Sequence, residues 1–145
     1  DGQCDLPELE PGAEYSAVSA GNRHTVLLLS DGRAVACGEN KYAQCNIPKL
    51  QAGARYAEVA AGGAHTVLLR SDGRAIASGG NNLGQKDLPA LAEGESYTQV
   101  AAGFRHTVLL RRDGRAVACG DNKRGQCNIP ELEPWASYIQ VAAGR

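Results

Sequence analysis

The 145-residue sequence lacks most of the features from which an activity is usually read. No apolar run approaches the roughly 18 residues of a membrane span, and the opening DGQCDLPELE has neither the basic nor the apolar region of a secretory leader. Neither sign of charge dominates: 15 basic residues stand against 16 acidic ones, so bulk attraction to a polyanion is excluded and nucleic acid is not the expected partner. No Cys-x-x-Cys spacing marks a metal site. The segments GENKYAQ and GDNKRGQ are polar and turn-rich but lack the Gly-Lys-Ser/Thr ending and helix of a phosphate loop. No nucleophile and base fall together, so the sequence reads as non-enzymatic and calls for no cofactor. Helix is disfavoured as well. A Gly or Pro recurs within about ten residues almost everywhere, and each glycine inside a helix costs ~1 kcal/mol.

What the sequence does have is repetition. Shifted by 41, it aligns Tyr15, Tyr56, Tyr97 and Tyr138; Gly21, Gly62, Gly103 and Gly144; His24, His65 and His106; Asp31, Asp72 and Asp113; Asn40, Asn81 and Asn122; Gln3, Gln44, Gln85 and Gln126; and Pro7, Pro48, Pro89 and Pro130. The units run 2–42, 43–83 and 84–124, and 125–145 (GQCNIPELEPWASYIQVAAGR) replays the first half of a unit (GQCDLPELEPGAEYSAVSAGN).

Punctuation within a unit predicts four short strands, near 15–19, 24–29, 33–37 and 44–47, with echoes every 41 residues. The Asp31-Gly32 pair is a strong hairpin signal, and Pro48, which cannot donate to a ladder, stops the fourth strand. The second strand is apolar on both sides, so its sheet should be covered on both faces. Four-stranded units of this length, stacked in tandem, fit the blades of a β-propeller. Helical repeats fail, and no Trp-Asp dipeptide supports a WD-repeat propeller.

The pattern VAAGGAHTVLLRSDGRAIASGGNNLGQ resembles the repeat of the regulator of chromosome condensation family, in a short, cysteine-bearing, 41-residue form. The resemblance implies an all-β propeller with four antiparallel strands per blade, here three full repeats plus a half repeat, as a segment of a larger propeller. It does not imply one activity. Such propellers include a nucleotide exchange factor for a small GTPase, modules of large ubiquitin ligases and a secreted inhibitor of β-lactamase. Exchange activity is not expected, because no insertion long enough to eject a nucleotide is present. The resemblance also implies that His24, His65 and His106 are structural, bonding backbone near the Ala-Ala-Gly bend, with Asn40, Asn81 and Asn122 as further repeat positions. A metal site is not expected, since the 41-residue offset puts the histidines in successive blades.

Cys37 and Cys45, like Cys119 and Cys127, lie eight apart on neighbouring predicted strands and are candidate disulfides. Against that, Ser78 and Lys86 replace the pair in the middle unit, and five is an odd number. Thiols filling small core slots are the favoured reading, which points weakly to a reducing, intracellular compartment.

The positions that vary between units fall at two places: the bends after strand one (Asn22-Arg23, Gly63-Ala64, Phe104-Arg105) and the loops after strand three (Glu39 to Tyr42, Gly80 to Leu83, Asp121 to Arg124). Alternating strand direction sends both to one rim, where Arg23, Lys41, Arg105, Lys123 and Arg124 outweigh Glu39 and Asp121. The Pro-led connections on the opposite rim are acidic. A rigid scaffold with variable loops predicts a protein partner, held by Asn22, Arg23, Lys41, Tyr42, Leu83, Phe104, Arg105, Lys123 and Arg124. The chain is thus expected to be a non-catalytic interaction scaffold, with a regulatory module of a larger enzyme (ubiquitin ligase or exchange factor) as the alternative. Three blades cannot close on themselves, so further blades or a second chain are expected to complete the ring.

Overall fold

The computed structural model describes residues 2–145 and is all-β, with no helix among them. Nine strands form three equivalent sheets. The first contains β1 (Tyr15–Ala20), β2 (His24–Leu29) and β3 (Ala34–Gly38); the second β4 (Tyr56–Ala61), β5 (His65–Arg70) and β6 (Ala75–Gly79); the third β7 (Tyr97–Ala102), β8 (His106–Arg111) and β9 (Ala116–Gly120). Each is an antiparallel meander in chain order.

The hairpins close as the Asp-Gly pairs predict. Gly32 takes φ +85°, a region favourable only to glycine, while Asp31 Oδ1 accepts the Arg33 amide at 2.9 Å. Asp72 and Asp113 accept from Arg74 and Arg115 in the same way.

One expectation needs correcting: each sheet has three strands, not four. The segment at Gln44 turns instead of extending, because its own side chains take up the backbone. Asn40 Oδ1 accepts the Cys45 amide at 2.8 Å, and Gln44 Oε1 accepts the Tyr42 amide at 2.9 Å. The Gln44 carbonyl is taken by the Thr66 hydroxyl of the following sheet at 2.7 Å. Gln3 and Gln85 meet Thr25 and Thr107 likewise, so each such segment caps the sheet that follows it in the chain.

Packing between sheets explains the two-sided hydrophobicity of the middle strands. Alternate residues of a strand point to opposite faces. Val26 and Leu28 therefore face the second sheet's Tyr56, Val59 and Ala61, and Leu68 points back into the same core. Val67 and Leu69 repeat the arrangement toward Tyr97, Val100 and Leu109. Each Leu or Val so enclosed contributes roughly 1.5–3 kcal/mol. The outer face of the first sheet has no such cover: Val18 is 66% exposed, whereas its equivalents Val59 and Val100 are 8% and 6%.

Candidate partner-binding rim

The bends and loops that vary between repeats are held next to one another by backbone bonds: the amides of Glu39, Gly80 and Asp121 donate to the carbonyls of Arg23, Ala64 and Arg105 at 2.8–2.9 Å. The bends are also strung together across the sheets. Asn22 N donates to Gly62 O, Gly63 N to Gly103 O and Phe104 N to Gly144 O, at 3.1, 3.2 and 2.9 Å. This close approach is what the glycine column serves. A Cβ on Gly62 would lie 2.5 Å from both Gly103 O and His65 Cε1.

An open cavity of about 510 Å³ lies on this rim, lined by residues from all three repeats, among them Asn22, Arg23, Lys41, Tyr42, Leu83, Phe104 and Arg105. Seven of the nine predicted partner-binding residues thus share one concavity. Lys123 and Arg124 do not; they stand exposed on the equivalent loop one repeat further on.

Two aromatic rings anchor the cavity. Tyr42 is exposed, with the Lys41 ammonium 5.6 Å from its ring centre. Phe104 is half-buried, with the guanidinium groups of Arg105 and Arg145 over its ring at 5.3 and 5.6 Å, within range of cation–π attraction. Arg23 is partly neutralised by Glu39 at 3.4 Å. Arg105 and Lys41 form no ion pair among the described residues, so the cavity floor combines apolar rings with uncompensated positive charge.

The loops themselves are rigid. Asn40, Asn81 and Asn122 each accept the amide five residues on and donate to the side chain six residues on, at 2.7–2.8 Å. Gln44, Gln85 and Gln126 close the same turn two residues back.

The histidines lie beneath the rim, but their bond is not the expected one to backbone. His24 Nε2 lies 2.9 Å from Thr66 Oγ1, and His65 Nε2 lies 3.0 Å from Thr107 Oγ1, each reaching into the next sheet. Burial holds all three imidazoles below their ordinary pKa, His65 at about 4, with its histidine neighbours adding to the effect. They are enclosed and neutral, unsuited to proton transfer with a ligand on the rim.

The cysteines are unpaired. Cys37 and Cys119 direct weak S–H bonds to the Gln3 and Gln85 carbonyls, and Cys45 and Cys127 to those of Glu39 and Asp121. Burial pushes these thiols up, Cys119 to about 11, so they are poor nucleophiles at neutral pH. No cluster of three or more His, Cys, Asp or Glu side chains suited to a metal ion occurs among the described residues.

The chain belongs to the regulator of chromosome condensation (RCC1) repeat family, whose repeat model matches residues 15–44, 56–85 and 97–126. No curated protein matches it. Among solved structures, it is similar to Prp20p from Saccharomyces cerevisiae, with a TM-score of 0.72 and 21% identity over 87% of this chain and 35% of that one. It is similar also to human WBSCR16 (TM-score 0.70, 23% identity, 92% of this chain and 43% of that one). A third likeness is to the ectodomain of the Arabidopsis thaliana receptor kinase ACR4 (TM-score 0.64, 19% identity, 94% and 45%). These likenesses establish the propeller fold, and the chain spans less than half the length of each.

Proposed function

We propose that this chain acts by binding another protein on the rim at Tyr42, Phe104 and Arg105, without catalysis of its own, as part of a larger propeller ring. The observation that carries the reading is convergence. Most of the side chains that differ from repeat to repeat are gathered around a single cavity, while the repeated His, Asn and Gln columns are engaged in internal bonds. Tyr and Arg are the residue types that dominate interface energy, and unpaired Arg105 and Lys41 select an acidic contact on the partner.

The similar structures accord with a protein-binding role. The crystal structure of Prp20p was described with its binding to Gsp1p and histones, and the same protein, yeast RCC1, has been solved with Kap60 bound. A second reading, a regulatory propeller module within a larger enzyme, draws on the chain's partial coverage of the three similar structures named above. The sequence flanking this chain in its reading frame decides between them. The test of the rim is quantitative. A partner recovered with the chain is titrated against the parent and against the Phe104→Ala/Arg105→Ala variant, and equal affinities would overturn the assignment. A salt titration over the same range separates protein contact from nucleic-acid contact, which loses affinity far more steeply with salt.

A further inference from the structure

The cavity on the rim lies where the middle repeat lacks a pair of side chains that its neighbours carry. Arg23 and Glu39 meet at 3.4 Å in the first repeat, and the third has Arg105 and Asp121 in the same two columns. The middle repeat has Ala64 and Gly80 there, and both line the cavity. A guanidinium and a carboxylate are replaced by a methyl group and a hydrogen, which opens the space between Tyr42 of the first repeat and Phe104 of the third.

The same replacement leaves one buried side chain without a partner. In the first repeat Gln44 is bonded at both ends of its amide: Oε1 accepts the Tyr42 amide at 2.9 Å, and Nε2 donates to Glu39 Oε2 at 3.4 Å. Gln85 repeats the first bond, to the Leu83 amide at 3.0 Å. With Gly80 in place of a glutamate, its Nε2 forms no hydrogen bond among the described residues. Gln85 is only 6% exposed and lines the cavity, so a fixed N–H donor serves the space that a carboxylate fills one repeat earlier. Nothing equivalent awaits a cation. The one carboxylate of the lining, Glu39, is already engaged by Arg23 and Gln44, whereas Arg105 and Lys41 form no ion pair among the described residues.

We propose, building on the rim reading above, that this cavity seats an acidic peptide segment of the partner. One glutamate or aspartate side chain enters over Gly80, accepts from Gln85 Nε2 and is neutralised by Arg105 and Lys41, while an adjacent apolar side chain packs against Tyr42 and Phe104. Hydrogen bonding and charge select the same sign, and a bond from an N–H to a carboxylate is roughly twice as strong as a neutral one. A cavity of about 510 Å³ has room for more than one side chain, which favours a segment over a free carboxylate. Ala64 and Gly80 are then the residues that set specificity. Their small size admits the partner's acid where Arg23 and Glu39 close the equivalent site on themselves.

Amide resonances of the isotope-labelled chain read the cavity directly. The probe is the end-blocked pentapeptide Gly-Leu-Glu-Leu-Gly, with Gly-Leu-Gln-Leu-Gly as its neutral match. The glutamate peptide is expected to shift the Gly80 amide and the Gln85 side-chain NH2, and the glutamine peptide to bind about tenfold more weakly, the loss of one hydrogen bond to a charged group. Ala64→Arg/Gly80→Glu rebuilds the pair of the first repeat inside the cavity without changing net charge. Gly80 does not hold a positive φ, and a Cβ on it would lie 3.4 Å from Ala64 O and 3.7 Å from Tyr42 Cβ, so this variant is expected to keep the parent's urea midpoint and lose the peptide shifts. Gln85→Glu retains an acceptor for the Leu83 amide but replaces the donor, and is expected to abolish the preference for the acidic peptide. Equal shifts from the two peptides, or none from either, overturn the proposal. So do shifts that persist in Ala64→Arg/Gly80→Glu, and so does equally tight binding of an oligothymidylate, which would mark a general anion surface. With a recovered partner, affinity lost in Phe104→Ala/Arg105→Ala but kept in Ala64→Arg/Gly80→Glu overturns this occupant and leaves the rim reading standing. Affinity unchanged in both overturns the rim reading itself.

Discussion

Nε2 of His24 lies 2.9 Å from Oγ1 of Thr66, and this bond fixes both the seam between two sheets and the proton on the ring. The threonine hydroxyl donates to the Gln44 carbonyl at 2.7 Å, so its oxygen accepts, and Nε2 must carry hydrogen. One hydroxyl thus joins three parts of the chain: the start of the middle strand of the first sheet, the middle strand of the second, and the turn that caps it.

The first prediction follows from that geometry. Thr66→Val keeps the shape and strands two buried groups, the His24 N–H and the Gln44 carbonyl. Each unsatisfied group costs roughly 1–3 kcal/mol, so the substitution is expected to destabilise by about 2–4 kcal/mol in urea unfolding. Thr25→Val strands only the Gln3 carbonyl and should cost less than half as much. Equal costs would show that the histidine bond contributes nothing.

The same burial predicts a pH dependence of definite sign. The folded-state pKa of His65 is lowered from 6.5 to about 4, chiefly by desolvation. The unfolded chain therefore binds a proton that the folded chain refuses. Stability is complete above pH 6.5 and falls as pH drops through 6.5 toward 4, by roughly 3 kcal/mol in all from this residue. His24 and His106 shift in the same direction. Between pH 6.5 and 5 few carboxylates titrate, so a fall in the urea midpoint there reports the histidines. A His65→Gln variant should show a shallower fall, and an unchanged slope would rule out the assignment.

Backbone geometry gives a pair of opposed predictions. Ala43 is the one non-glycine residue at positive φ among the described residues, at 65°, where the other two repeats have Gly84 and Gly125. Ala43→Gly relieves that conformation and is expected to stabilise by about 0.5–1 kcal/mol, after the entropy glycine gains in the unfolded chain. Gly62→Ala drives a methyl into Gly103 O and the His65 ring and should cost about 2–3 kcal/mol. Gly144, with nothing within 4 Å of its would-be Cβ, is the matched control.

Much of this was legible in the sequence because each repeated column performs one local task. The Asp-Gly pairs make turns, Asn40 and Gln44 brace one loop, and Tyr56 reaches the carbonyl of Pro48 eight residues back. The fourth strand was not legible, because Gln-Cys-Asn-Ile has strand-like composition and only the competing bonds from Asn40 and Thr66 turn it into a cap. The histidine's partner was missed for a related reason. Thr25, Thr66 and Thr107 stood in plain register beside the histidines, but a period of 41 residues does not say which neighbouring unit a side chain reaches into. The rim positions were picked out by their variation between repeats, and that seven of the nine border one cavity follows from the backbone bonds between bend and loop.

The last prediction separates the parts played by the rim side chains. The guanidinium groups of Arg105 and Arg145 both lie over the half-buried Phe104 ring, so the ring is already oriented and loses little freedom on contact. Phe104→Ala should raise the dissociation constant of the partner by a factor corresponding to about 2 kcal/mol or more, the range of an interface anchor. Arg105 is exposed and lacks an ion pair, so Arg105→Ala should act mainly on the association rate, and its effect should shrink as salt rises. Arg23 is already engaged with Glu39, and its replacement should matter least of the three. Lys123 and Arg124 lie outside the cavity, so the double change to Ala should leave affinity within a factor of about three, corresponding to roughly 0.6 kcal/mol. All these side chains are exposed or stand clear of the strands, so urea midpoints should stay close to the parent's. If surface plasmon resonance with a recovered partner ranks Lys123→Ala/Arg124→Ala above Phe104→Ala, the binding face is the third loop and not the cavity.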